Sequence, residues 1–276
     1  MTLAAEQFRD RRRSQRRRRT RGRGPRPSTP GVVERRYERA LVGLSRELAR
    51  EINRTIQPYV KAARAAERSD AEINTALFGA DFGTLRIRIM RLVREKRIAP
   101  IVDQWGREIA TWSTREMRRL LAIDLAAESA GVQVALAAAR AENVALITSI
   151  ADRLLGDVFR VVTESVINGV RVETLATQIQ ERYRVSDSRA RLIARDQTLK
   201  ANAQLTQVRH REAGITSYVW SSSRDEHVRE IHANLDGFVF NWAEPPITSE
   251  DGATNHPGED YQCRCVAIPV LDPVLD

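Results

Sequence analysis

The stretch HPGEDYQCRC, residues 256–265, holds both cysteines of the chain, Cys263 and Cys265, and one of its four histidines, His256. Together with His232 these residues offer a Cys2His2 donor set, which is the chemistry Zn²⁺ takes. The spacing argues the other way, because zinc knuckles separate paired cysteines by about two to four residues and here only Arg264 intervenes. In a regular strand Cys263 and Cys265 share one face and Arg264 points away, so both thiols meet one ion only where the strand bends. Three readings are open at this point. The cluster holds a structural zinc, or it packs two free thiols as small apolar groups, or it closes a disulfide strained by the short spacing.

A second polar group lies upstream. Ser223 and Glu226 have capping-box spacing, which predicts a short helix. On that helix Val228, Ile231 and Leu235 would face the core. Asp225, Arg229 and His232 would form a polar stripe, with Asp225 and Arg229 as an ion pair one turn apart. His210 and His227 are expected on exposed helix faces. A metal nuclease would need clustered carboxylates, or a histidine-bound metal beside a phosphate-binding arginine. No second acidic cluster joins these residues, so no catalytic residue is assigned. A metal-dependent nucleic-acid-processing enzyme and a generic nucleic-acid-binding protein stand as the alternative functions.

These side chains must be held by the segments around them. ITSYVW, residues 215–220, is rich in β-branched and aromatic residues and predicts a strand. Asp236-Gly237 turns the chain, and FVFNW returns as a second strand. A loop of about twenty residues, Ala243 to Gln262, has the length typical of a functional segment. CRCVAIPVL then predicts a last strand. Upstream the pattern is helical. Leu41, Leu44, Leu48, Ile52, Ile56 and Tyr59 recur at steps of three or four, an amphipathic helix that Pro58 should kink or end. Asn74 to Gly83 reads as a loop, and Leu85, Ile89 and Leu92 as a helix stopped near Pro100. Ile101, Trp105, Ile109 and Trp112 continue helically. Ile147, Leu154, Val158 and Val162 mark a long helix closed by Asn168-Gly169. A short helix over Val172 to Tyr183 and another capped by Ser186 follow, ending near Gly214.

The fold class expected is therefore mainly α: an elongated helical N-terminal region followed by a small α+β module with a few short strands. The expected partition is an arm over residues 1–31, a helical docking region over 32–169 and a C-terminal module over 170–276. Within that module helices run to residue 213. No stretch reads as long and apolar enough to span a membrane, and two cysteines in 276 residues suggest a reducing compartment rather than a disulfide scaffold.

Charge is concentrated at one end. Eleven arginines lie between Arg9 and Arg26. Set against Glu6 and Asp10, they leave residues 1–27 at +9, the net charge of the whole chain. The remaining 34 basic residues are matched by 34 acidic ones. Such a run repels itself, cannot bury a core and reads as a disordered, extended arm, with a reach of roughly 100 Å at about 3.3 Å per residue. Guanidinium groups bind phosphates bidentately. Arg11, Arg12, Arg13, Arg16, Arg17, Arg18, Arg19, Arg21 and Arg23 are thus the candidate DNA-binding residues. With Phe8 its only aromatic, the arm should bind without sequence preference.

YVWSSSRDEHVREIHANLDG, followed by HPG and CRC, resembles the phage Mu F-like minor head proteins, also called phage head morphogenesis proteins. Trp220, Asp225, Arg229, His232, Gly237, Pro257, Gly258, Cys263, Arg264 and Cys265 follow the family pattern in order. Arg195 to Thr198 resembles its Arg-polar-Thr segment, with Gln197 where the family often shows Glu. The resemblance covers roughly residues 150–270. It implies a structural role in a tailed-phage head, at the portal or inner capsid, in assembly and DNA packaging or delivery. The implied partners are the portal protein, the major capsid protein and packaged double-stranded DNA, with several copies per virion and no membrane. The implied location is inside the head, and the host cytoplasm during assembly. The motif residues are then expected to staple the module, with zinc as the one cofactor the donor set suggests, through His232, His256, Cys263 and Cys265.

Overall fold

The computed structural model describes residues 25–66, 75–93, 98–122, 129–167 and 172–271. Helices α1 (Gly31–Ala66), α2 (Thr75–Leu92), α3 (Ala99–Leu121), α4 (Ala130–Ile167) and α5 (Val172–Glu212) precede a small C-terminal sheet. That sheet consists of strands β1 (Ser217–Ser221), β2 (Val239–Asn241) and β3 (Val266–Pro269), with helix α6 (Glu230–Leu235) between β1 and β2. A mainly α chain with a small α+β end is thus what forms.

The helices follow their apolar stripes further than the breakers suggested. In α1, Val33, Tyr37, Leu41, Leu44, Leu48, Ile52 and Ile56 are buried at steps of three or four. The helix continues through Pro58, because one lost backbone bond weighs little against that stripe. The loop expected over Asn74–Gly83 is helical from Thr75. Phe82, Leu85 and Ile89 are buried, and the Phe82 ring lies 4.9 Å from Phe159. Gly79 and Gly83 each cost only about 1 kcal/mol in a helix. Pro100 sits in the first turn of α3, where its missing N–H is harmless. The two helices expected over 172–213 are one. Ser186 is buried and caps nothing; its Oγ lies 2.9 Å from that of Ser45. The Asn168-Gly169 stop lies outside the described residues.

Helix α4 corrects the membrane reading: by length and composition it is long and apolar enough to cross a bilayer. Many of its apolar residues, among them Ile147, Leu154, Leu155 and Val158, are nevertheless buried in the fold. Asn143, on the same helix, is fully buried and accepts a 2.6 Å hydrogen bond from the Tyr37 hydroxyl.

The compact units do not follow the sequential partition. One gathers described residues within Met1–Glu34, Gly106–Ala139 and Arg195–Asp276, the other those within Arg35–Trp105 and Arg140–Ala194. The second unit packs Tyr37 on Trp105 with ring centroids 5.1 Å apart. The first unit carries the sheet, whose order is β2-β1-β3, antiparallel throughout. Central strand β1 sets Tyr218 opposite Phe240 and Trp220 opposite Ala267. Alternation puts Tyr218 and Trp220 on one face, where they pack with Leu235, Phe240, Trp242, Cys263 and Cys265.

Candidate metal centre

Strand β3 begins at Val266, so the cysteines stand just before it, where the backbone is irregular. Gln262 has a φ of 57°, and this local turn lets both thiols converge. Nδ1 of His232 lies 3.5 Å from Cys263 Sγ and 3.8 Å from Cys265 Sγ. All three ligand atoms fall within 4.8 Å of one another. None of the three residues is more than 5% exposed.

His232 comes from α6, and its ring meets Trp220 edge-on at 5.4 Å. Its other nitrogen, Nε2, lies 2.9 Å from Asp260 Oδ2. Asp260 is itself fixed: its Oδ1 accepts a 2.8 Å hydrogen bond from Asn255 Nδ2. Sequence reasoning missed Asp260 altogether.

His256 does not join the cluster expected of it. Its Nδ1 lies 2.9 Å from the Tyr218 hydroxyl and its ring 4.8 Å from that of Trp242. Its backbone N–H donates to Glu259 at 2.6 Å. The Cys2His2 set is therefore reduced to three donors among the described residues. The cysteines are free thiols, not the disulfide that was weighed.

The motif residues around the cluster close the long loop. Arg264 reaches back to Asp225 at 2.7 Å, and Arg229 donates to the Tyr261 carbonyl at 2.7 Å. The Asp225–Arg229 pair does not form because α6 starts only at Glu230. Arg229 is its extended N-cap residue, and no side chain caps the helix. The capping box of Ser223 and Glu226 is accordingly absent. Asp225 instead accepts the His227 N–H at 3.1 Å in a local turn. Gly237, at φ 83°, makes the turn that returns its N–H to the Trp220 carbonyl at 2.8 Å. Gly258, at φ 93°, brings the HPG turn against α5, where a Cβ would sit 3.0 Å from that of Ala203. Asp196, in the Arg195–Thr198 segment, accepts the Gln262 N–H at 2.6 Å and pairs with Lys200 at 3.0 Å.

The three titratable groups of the cluster shift one another. Burial acts to lower the His232 pKa, but hydrogen bonds to Asp260 and Cys263 outweigh it and hold it up at about 9. A hydrogen bond from Cys265 and the charge of His232 pull Cys263 down despite its burial, while the same sulfur neighbour and burial push Cys265 up. His210 and His256 behave oppositely. Burial lowers each to about 4, and for His256 the charge of Arg211 adds to it. His210 is fully buried beside Trp242, which corrects its expected exposure; His227 is exposed but lies in a turn, not on a helix.

Arg11 to Arg23 of the arm lie outside the described residues. The segment that follows them is tied to the same unit as the cluster. Arg26 donates to the Ser222 carbonyl at 2.8 Å, and the Ser28 N–H to Glu116 at 2.6 Å. Pro27 and Thr29 line a small cavity together with Pro257, Gly258 and Cys265.

A mainly helical chain ending in a three-stranded module with a buried Cys-x-Cys/His corner is the class that this fold and site define. Residues 157–268, from late α4 to β3, match the family model described as Phage Mu protein F like protein. An uncharacterized protein of Haemophilus influenzae (strain ATCC 51907 / DSM 11121 / KW20 / Rd) is 45% identical over 153 residues, 54% of this chain and 33% of the relative. The chain thus spans about a third of that relative's length. No solved structure matches.

Proposed function

We propose that this protein is a structural component of a tailed-phage head, acting in head morphogenesis at the portal or inner capsid surface. The carrying observation is the Mu F-like match over residues 157–268, the part of the chain that builds the stapled module. The arginine run supports a DNA-facing role in packaging or delivery. It holds the whole net charge of the chain, and packaged DNA is a dense array of phosphates that arginines neutralise with counterion release. The helices between the arm and the module are the docking surface for portal or coat protein. The buried cluster favours a structural over a catalytic role, since each of its three residues is at most 5% exposed.

Co-expression with portal and coat proteins, followed by sedimentation, tests the docking. The protein should co-sediment with one of them, and a chain that sediments alone in the presence of both counts against the reading.

A further inference from the structure

We propose that His232, Cys263 and Cys265 bind one Zn²⁺ ion through Nδ1 and the two Sγ atoms, with Asp260 orienting the imidazole. Neither the Mu F-like match nor the head role requires this site. Its first support is metric. With zinc–sulfur bonds of about 2.3 Å and zinc–nitrogen bonds of about 2.0–2.1 Å, tetrahedral angles place a nitrogen about 3.5 Å from each sulfur. The two separations here are 3.5 and 3.8 Å.

The second support is convergence. All three ligand atoms lie within 4.8 Å of one another on residues at most 5% exposed, so one ion can meet all three at once. The third is the outer shell. A hydrogen bond between Nε2 and Asp260 at 2.9 Å engages that nitrogen and leaves Nδ1 facing the sulfurs. Histidines that ligate metals carry such a carboxylate partner. Two thiolates and one imidazole select zinc over hard cations such as Mg²⁺ or Ca²⁺. Binding releases about two protons from the three donors, because a metal takes thiolates and a neutral imidazole.

The physical role is closure. Between β2 and Cys263 the chain runs through a polar loop whose ordering costs entropy. An ion shared by α6 and the loop's end ties the two together.

The test uses the full-length protein, expressed with zinc in the medium and purified reduced without chelator. Elemental analysis should find about one zinc per chain. Cobalt added to chelator-stripped protein should give thiolate-to-cobalt charge transfer and the intense visible bands of a tetrahedral ion. Cys263→Ser with Cys265→Ser should lose both signals. Should that variant fail to fold, the cobalt titration of the unaltered chain still decides. A folded, reduced protein that takes up neither ion overturns the proposal. So does zinc retained undiminished in a folded double variant, which would place the metal elsewhere.

Discussion

Asp260 holds Nε2 of His232 at 2.9 Å, and that one hydrogen bond decides which nitrogen of the ring faces Cys263 and Cys265. The carboxylate is 28 residues from the histidine in sequence, yet it sets the chemistry of the cluster. Asp260→Asn keeps the shape and removes the charge. Metal affinity should fall about 10–100-fold, read by competition with a chromophoric chelator. Affinity unchanged by the substitution would reduce Asp260 to a scaffold for the loop.

The HPG turn makes a second prediction. Gly258 has a φ of 93°, and a Cβ there would stand 3.0 Å from Ala203. Gly258→Ala therefore meets both an unfavourable backbone region and a close neighbour on α5. It should destabilise the protein by about 1–3 kcal/mol, measured by urea unfolding. A change within error would mean that the turn shifts freely off the helix.

Acid should loosen the fold through His210. The residue is fully exposed to protonation only when the chain unfolds, at its ordinary pKa of 6.5; burial lowers the folded value to about 4. Between these values the unfolded chain binds more protons, so stability falls as pH drops from 6.5 toward 4. Above 6.5 the effect is absent. Its full size is on the order of 3 kcal/mol. His210→Phe keeps the ring against Trp242 and should flatten that slope in unfolding measured at successive pH values. A slope as steep in the variant as in the unaltered protein would assign the acid sensitivity elsewhere, His256 being the next candidate.

For the arm, the expected signature is salt dependence. If about six arginines meet phosphates, log affinity for double-stranded DNA should fall against log salt with a slope of about −5. Removing residues 1–24 should abolish retention on DNA and leave the unfolding midpoint unchanged. A truncated chain that binds as tightly as the full one would transfer DNA binding to the body.

Much of this was legible in the sequence where a local rule governs. SYVWS packs two aromatic residues around β-branched Val219, and it forms β1, buried along almost its whole length. Asp236-Gly237 needs a positive φ, and it turns. The rare cysteines and His232 converge because the Gly258 turn and the Asp196–Gln262 bond bring the loop's end back to α5. What escaped was non-local. Asp260 looks like one more acidic residue in a polar loop, since no spacing rule links it to His232. His210 falls off the apolar stripe of α5, but that helix is buried well beyond its stripe. Thr198, Ala201, Asn202, Thr206 and Arg209 are all buried there, so a polar face in sequence became an interior one. Fully buried Arg209 is satisfied by Ser113 at 3.0 Å and Thr114 at 2.8 Å, partners that lie on α3. The short helix began later than its capping spacing suggested because Arg224, at φ 58°, breaks the regular backbone first.

The head role itself is tested most directly by the protein content of purified heads, made with the gene for this chain intact or deleted. The account predicts that the chain is found in heads and that deletion lowers the yield of DNA-filled particles. Heads that lack the chain, formed and filled equally well without its gene, would contradict it.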